Sequence, residues 1–473
     1  SLRLHVFTSR SAPIPCRESG RSQRMGNLIC TEGNKTSDEG GEGKRRKKDC
    51  LDIFSRGGRR HRMDEEEVTP VADVASMTIE DGVLPKTVPQ TQRQFNITPV
   101  NTLHFHIPHG YDDSELDYLG GGSYGNVVKA RAVARGDGKI LTVAIKKMHH
   151  PFGSVNTARR VFREIRLLQL MRHDNVIRAL DLYSPDKDLA SFTNMYVVTE
   201  YAGHSLYEVL KNQRENNVIH LQLEHVKFIL YQLLRGLKYI HSANVMHRDL
   251  KPSNLSLTSS CDLTVLDFGL ARTVEKVPHG MSTYVMTRWY RSPEVIYWKI
   301  GSYDKQADVW SVGCIAAEMM INQPLFPGES TNSQYDMITA LCGAPDAELL
   351  QKLSSQIEDN NSGQIRAVIE RLSLGRQRRD FHQYFRSFNP DLPDDAISFL
   401  NDLLQLDPER RLTVEQALQH PYLCEYQDPR DEPVVAEPYT LEDNVEYTIA
   451  DWKRIIWNEI QNYKGDESSP PFI

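Results

Sequence analysis

No stretch of about 18 consecutive apolar residues occurs in this chain, so no segment reads as a membrane-spanning helix. The start, Ser1 to Arg10, lacks an apolar core leading to a small-residue cleavage site, which argues against secretion. Cysteine is scarce. There are seven, an odd number with no C-x-x-C pair, so neither a disulfide framework nor a zinc site is indicated and reduced thiols are expected. Cys314 lies in an apolar helical run and reads as plain core. The lack of any fixed-period repeat removes solenoids and propellers. What is present is 473 residues, 25% charged and 40% hydrophobic with a mean hydropathy of −0.49, enough for two or three folded units or for one two-lobed unit carrying long polar tails.

The net charge of −7 hides a division. Residues 1–62 hold 15 Lys/Arg against 7 Asp/Glu, whereas the rest hold 41 against 56. An acidic body of this kind argues against nucleic acid as a partner, and the arm before it reads as an appendage. Residues 1–102, without helical or strand periodicity and rich in Ser, Gly, Arg and Glu, are expected to be a disordered arm and linker. Within the arm, Lys44-Arg45-Arg46-Lys47-Lys48 admits three readings: a nuclear import signal, a polyanion-binding patch, or ordinary solvated charge.

Alternation begins at Leu103-His104-Phe105-His106-Ile107, and strands follow at Val127 to Ala130 and Leu141 to Lys147, separated by glycine turns. A helix is predicted over Ala158 to Met171 and a short strand over Met195 to Thr199. Beyond Gly203 the pattern turns helical. Leu223, Val226, Leu230, Leu233, Leu237 and Ile240, at alternating steps of three and four, line one face of a helix. Further helices are predicted over Val309 to Met320, Ala396 to Leu406 and Val414 to Leu418. The fold class is therefore α+β, with a small strand-rich lobe at 103–202, a larger helical lobe at 203–425, and a tail at 426–473 that runs back over both lobes through Trp452 and Trp457.

Gly120, Gly122, Gly125 and Val127 satisfy G-x-G-x-x-G-x-V, a pattern whose missing side chains let backbone N–H groups close over phosphates. A dinucleotide-binding fold would open a helix here and place an acid about 20 residues on. Instead a second strand follows, and Val143-Ala144-Ile145-Lys146 supplies a cation. The pair reads as a hairpin over ATP with Lys146 reaching the phosphates. Glu164, beside apolar Ile165, Leu167 and Leu168, can face Lys146 and hold it extended. His247-Arg248-Asp249-Leu250-Lys251-Pro252-Ser253-Asn254 comes next, then Asp267-Phe268-Gly269 and Ser292-Pro293-Glu294.

Taken in this order, the five motifs resemble the signature set of the protein kinases. That resemblance implies the two-lobed kinase fold and gives the residues roles. Asp249 would orient the attacking hydroxyl and take its proton, Lys251 would stabilise the transferring phosphoryl, and Asn254 and Asp267 would offer hard oxygens to magnesium. Thr199 matches the gatekeeper before the hinge Glu200-Tyr201-Ala202-Gly203, whose backbone would bond adenine, while Val127, Ala144 and Leu255 would sandwich the base. None of the catalytic positions is substituted, which weighs against the rival reading, a catalytically silent docking scaffold.

The segment from Asp267 to Glu294, including Thr287-Arg288-Trp289-Tyr290-Arg291, is similar to the mitogen-activated protein kinases, in particular the osmotic and inflammatory stress branch. Those enzymes are switched on by dual phosphorylation of Thr-x-Tyr. Here Ser282-Thr283-Tyr284 stands in that place, so Ser282 and Tyr284 are the expected phosphosites, with Thr283 left open. By resemblance, Arg160, Arg163, Arg248 and Arg272 would receive the first phosphate, and Arg288 and Arg291 the phosphotyrosine. Tyr426-Gln427-Asp428-Pro429-Arg430-Asp431-Glu432-Pro433 resembles the common docking turn, where Asp428, Asp431 and Glu432 would meet basic motifs on substrates, activators and phosphatases; Arg430 stands where this branch usually has an acid. The loop from Thr273 to Met281 is about three residues longer than this branch usually has, nearer the Jun-directed branch. The resemblance further implies proline-directed transfer to Ser/Thr, an upstream dual-specificity kinase, a helical insert in the larger lobe, action as a monomer, and residence in cytoplasm and nucleus.

Overall fold

The computed structural model describes residues 90–122, 125–133, 140–218, 221–273, 288–298, 304–356, 362–441, 445–463 and 465. Ser282, Thr283 and Tyr284, and the basic arm at 1–62, lie outside the described residues.

The first two strands described form a hairpin of β1 (Phe95–Val100) and β2 (Leu103–Pro108). It lies partly within the span expected to be linker, so that boundary is corrected: strand structure is already present at Phe95–Val100. The reason is local. Only Val100 of β1 is buried, so no alternation marks the strand. Its ordering comes from a distance, because Arg93 grips both oxygens of Asp181 at 2.6 and 3.0 Å and Gln90 donates to the Leu182 carbonyl at 2.7 Å.

β3 (Tyr111–Gly122), β4 (Gly125–Val133), β5 (Ile140–Met148), β6 (Ala179–Tyr183) and β7 (Tyr196–Glu200) form one antiparallel sheet in the order β3-β4-β5-β7-β6. Its one helix, α1 (Val155–Leu170), starts where the Ser154 side chain accepts the Thr157 N–H. One face of the sheet is apolar through Val128, Ala130, Val143, Ile145 and Val198, all fully buried or nearly so.

The larger part begins with β8 (His204–Ser205) and α2 (Leu206–Asn216), capped by a reciprocal Ser205–Glu208 box. In α3 (Leu223–Ser242) every position of the expected stripe except Leu223 is buried. Four short strands follow: β9 (Val245–Met246), β10 (Leu255–Leu257), β11 (Leu263–Val265) and β12 (Arg272–Thr273). They pair as β11-β10-β8 and β12-β9, which folds the segment between them into tight turns at the mouth of the interlobe cleft.

Every residue of α4 (Gln306–Ile321) after Gln306 is buried, the mark of a helix at the centre of a lobe. Around it stand α5 (Thr331–Cys342), α6 (Ala347–Gln356), α7 (Ser362–Ser373), α8 (Phe381–Arg386), α9 (Asp394–Leu403) and α10 (Val414–Leu418). No helix among the described residues is long and apolar enough to cross a membrane.

The tail does return across both lobes. Val435 N–H donates to the Ser242 hydroxyl and Tyr439 N–H to the Ala243 carbonyl at the end of α3. α11 (Ile449–Asn462) then lies on α1, with Trp452 wholly buried 5.2 Å from the Phe162 ring and Trp457 4.9 Å from Phe192. Burying one such aromatic stabilises by about 3 kcal/mol at most, so α11 is a firmly seated element.

Candidate active site

The sheet register assembles the first wall. Val127 pairs with Lys146 across β4 and β5, and Ala144 pairs with Thr199 across β5 and β7. Ala144 and Lys146, two apart on one strand, therefore project from one face beside Val127 and Thr199. Gly125 is required by packing, because a Cβ there would stand 2.4 Å from the Lys147 carbonyl oxygen. Gly120 has φ +150, a value side-chain-bearing residues rarely adopt. Gly122 has neither constraint, with open space where a Cβ would be, so its bareness leaves the hairpin backbone open to a ligand.

On α1, Glu164 meets the first wall. Lys146 Nζ lies 2.5 Å from Glu164 Oε1, and the Glu164 side chain is only 5% exposed. Burial raises the Glu164 carboxyl above its ordinary value, with the Lys146 charge opposing that rise. Below the cleft, Asp249 forms a cluster. Lys251 Nζ donates to its Oδ2 at 2.7 Å, and Asn254 Nδ2 donates to its carbonyl at 2.8 Å and to Oδ2 at 3.0 Å. Asn254 has thus committed its amide nitrogen and retains its oxygen as a donor to a cation.

Asp267 joins the two walls. Burial opposes its ionisation, yet the charge of Lys146, the Gly269 N–H at 3.0 Å, His247 and Lys251 together outweigh burial and hold its carboxyl below the usual value. A single carboxylate therefore lies within the fields of both lysines. A Cβ on Gly269 would stand 3.0 Å from Asp267 Oδ1 and 3.5 Å from Glu164 Oε2, so Asp267 lies beside the Lys146–Glu164 pair, while the Leu266 N–H donates to the Asn254 carbonyl at 2.8 Å and ties its segment to the Asp249 cluster. Asp267 and Asn254 offer two hard oxygens, a donor set that suits magnesium and not a thiolate-seeking metal.

At the back of the cleft, Leu255 is fully buried, and Ser256 Oγ donates to the Ala202 carbonyl at 2.9 Å, tying the segment after Thr199 to β10.

The support beneath the cleft was not foreseen. Asp308, the third residue of α4, is 1% exposed and accepts the N–H groups of His247 at 2.9 Å and Arg248 at 2.8 Å, with His241 Nε2 2.9 Å away. Arg248 sits at φ 68°, an uncommon value for a residue with a side chain that the Asp308 bond to its N–H helps to hold, and Asp267 sits at φ 62°, where its own carboxylate accepts the Gly269 N–H. A second hidden pair joins Arg411 to both oxygens of Glu294 at 2.8 and 3.2 Å, with Arg411 wholly buried over the Trp310 ring. An acid in the first turn of an apolar helix, and an arginine more than a hundred residues from its partner, give no local signal of either role.

The arginines predicted to bind phosphate divide. Arg163, Arg272, Arg248 and Arg160 share one field, joined by Arg159: burial and these four neighbouring charges pull the Arg163 guanidinium below its ordinary value. Arg248 Nη1 also reaches the Leu270 carbonyl at 3.2 Å. Arg288 Nη1 donates to the Glu329 carbonyl at 3.3 Å, and Arg291 is half-buried nearby in sequence. At the tail turn, Asp428 and Asp431 reach the surface, but Glu432 turns inward: its side chain is 3% exposed and holds Lys238 at 2.9 Å. A partner's cations cannot reach Glu432, which corrects its expected place on the docking surface.

A two-lobed fold with a glycine-edged hairpin, a lysine–glutamate pair and an aspartate cluster facing it defines a protein kinase, and residues 114–423 match the protein kinase domain family. The chain belongs to the mitogen-activated protein kinase family, in its stress-activated branch, and is a protein serine/threonine kinase. It is 53% identical over 393 residues to mitogen-activated protein kinase pmk-3 of Caenorhabditis elegans, covering 83% of this chain and 81% of that protein. Mitogen-activated protein kinase p38a of Drosophila melanogaster is 41% identical over 382 residues, 80% of this chain and 96% of its own length. Mitogen-activated protein kinase 14 of Xenopus laevis is 40% identical over 363 residues, 76% and 92% respectively. Protein kinases of this family work on ATP with magnesium, and act between upstream kinases and protein substrates.

Proposed function

We propose that this chain transfers the γ-phosphoryl group of ATP to Ser or Thr hydroxyls followed by Pro, within a stress cascade, once Ser282 and Tyr284 are both phosphorylated. The observation that supports this reading is the buried Lys146–Glu164 pair at 2.5 Å together with the Asp249 cluster, in which Lys251 and Asn254 both donate to Asp249 Oδ2, at 2.7 and 3.0 Å. Lys146, held by Glu164, orients the ATP phosphates. Asp249 aligns the acceptor hydroxyl and takes its proton as the oxygen–phosphorus bond forms and the bond to ADP breaks. Lys251 compensates the charge on the phosphoryl oxygens in flight. Asn254 and Asp267 would hold magnesium, whose chemistry there is neutralisation of phosphate charge.

The five guanidiniums of the cluster formed by Arg163 and its four neighbours suit a phosphate on Ser282, since each phosphate brings about −1.5 to −2 charges and three acceptor oxygens. Arg288 and Arg291 would take the phosphate of Tyr284. Asp428 and Asp431 are proposed to meet docking segments of an upstream dual-specificity kinase, of substrates and of phosphatases. The chain is proposed to act as a monomer in cytoplasm and nucleus, with Lys44 to Lys48 as the import signal.

The test is transfer of labelled phosphate from ATP, with magnesium, to paired peptides bearing Ser-Pro or Ser-Ala, by chain carrying both loop phosphates. Transfer to Ser-Pro that disappears in Asp249→Asn is expected. A doubly phosphorylated chain that labels neither peptide would leave the silent-scaffold reading in its place.

A further inference from the structure

The tail turn is not an open acidic patch. Asp428 precedes a helical turn at Pro429–Asp431, and its carboxylate is already occupied: Arg430 Nε reaches Oδ1 at 3.1 Å and Arg430 Nη2 reaches Oδ2 at 3.3 Å, while the Arg430 N–H donates to Oδ1 at 3.1 Å. Asp431 Oδ1 accepts from Arg235 Nη2 at 3.0 Å, and Arg235 Nε bonds the Asp431 carbonyl. Glu432 is consumed by Lys238. The three acids of the turn each meet a cation, and a fourth acid, Asp174, 86% exposed, shares Arg235 at 3.3 Å from beside the turn. The charge that stands furthest into solvent is positive, because the Arg430 side chain is 92% exposed, against 57% for Asp431 and 19% for Asp428.

We propose that Arg430 sets which segments this turn accepts, favouring a mixed-charge segment, with an acid opposite Arg430 and a cation opposite Asp431, over a uniformly basic one. This inference rests on the docking reading given under Proposed function. A uniformly basic segment must displace Arg430 from Asp428 and then lie against its charge. The displacement alone is a small barrier, since an exposed ion pair of this kind is worth about fivefold in an equilibrium constant at most. Repulsion between Arg430 and the incoming cation adds to it, and an acid at the same place converts that repulsion into attraction. Selectivity arises here more from the penalty on the wrong segment than from new grip on the right one.

The experiment is fluorescence anisotropy with the full chain and two labelled synthetic peptides, one with two adjacent lysines before an apolar pair, the other with the first lysine replaced by glutamate. The native chain is expected to bind the mixed peptide about three- to tenfold more tightly, Arg430→Ala to lose the difference, and Arg430→Asp to reverse it, each effect shrinking as salt rises. Arg430 is exposed, and a thermal unfolding curve matching that of the native chain will show that the variants fold. An unchanged preference in Arg430→Asp, with binding to both peptides weakened by Asp431→Asn, overturns this inference and leaves the docking reading standing. Failure of both peptides to bind any form of the chain overturns both.

Discussion

The hydroxyl of Tyr463 donates to the carbonyl of Ala179 at 2.9 Å, which ties the residue that caps the end of α11 to the edge strand of the small-lobe sheet. Between that bond and α1, Arg166 and Gln169 both reach Glu459 at 3.2 Å, and Trp452 packs on Phe162. The element that carries Glu164 is therefore clamped from behind by α11. Trp452→Ala should remove about 3–5 kcal/mol of stability and, by loosening α1, lower kcat while raising KM for ATP. Denaturant titration beside steady-state kinetics separates the two effects; lost stability with unaltered kinetics would make the clamp merely structural.

Glu164→Gln keeps the shape of the Lys146 partner and removes its charge. Lys146 would then be free to leave the phosphates, and a misplacement of about 1 Å at a reacting centre is worth roughly 10²-fold in rate. The expected result is a fall of that order in kcat with protein of native stability, read by stopped assays over a range of ATP concentrations.

Arg248→Ala should lower the activity of the doubly phosphorylated chain far more than that of the unphosphorylated chain. Its side chain belongs to the cluster around Arg163, and the strain of alanine at φ 68° burdens both forms alike, so the ratio of activities is the readout. Equal losses in the two forms would remove the cluster from the switch. Mass spectrometry of 281–288 in the activated chain would show whether Ser282 or Thr283 carries the phosphate.

Asp308 predicts a pH effect on stability. It is fully buried among His241, His247 and the backbone of Arg248; burial disfavours its charge, but these partners prevail and hold its carboxyl below the usual value. A depressed carboxylate contributes stability that is complete above its unfolded value, near 3.8, and is lost as pH falls through the folded value. Asp308→Asn should therefore unfold at lower urea at pH 7, by about 1–3 kcal/mol, and the gap from the native chain should narrow below pH 4. A gap constant from pH 7 to pH 3 would contradict the assignment.

The chemistry was legible wherever it lies in short, contiguous motifs. Lys146, Asp249, Asn254 and Asp267 each sit in a string of residues whose spacing has few other uses, and α3 announced itself through a stripe that the fold buries. What escaped depends on partners distant in the chain. β1 has one buried residue and is held by Arg93 reaching Asp181, a contact across 88 residues that no periodicity encodes. Asp308 reads as a first-turn helix acid until His247 and Arg248 are brought to it. Glu432 reads like its neighbours Asp428 and Asp431, and only the approach of Lys238 from α3 turns it inward.

The anchoring of Gln90 and Tyr463 on β6, through the Leu182 and Ala179 carbonyls, makes these two residues, far apart in sequence, neighbours in space. Dyes placed at the exposed Gln92 and Asn462 would sit close enough for efficient energy transfer in one molecule. Release of either strap would then register as a loss of transfer, giving an optical handle on the posture of the small lobe that requires no substrate and no nucleotide.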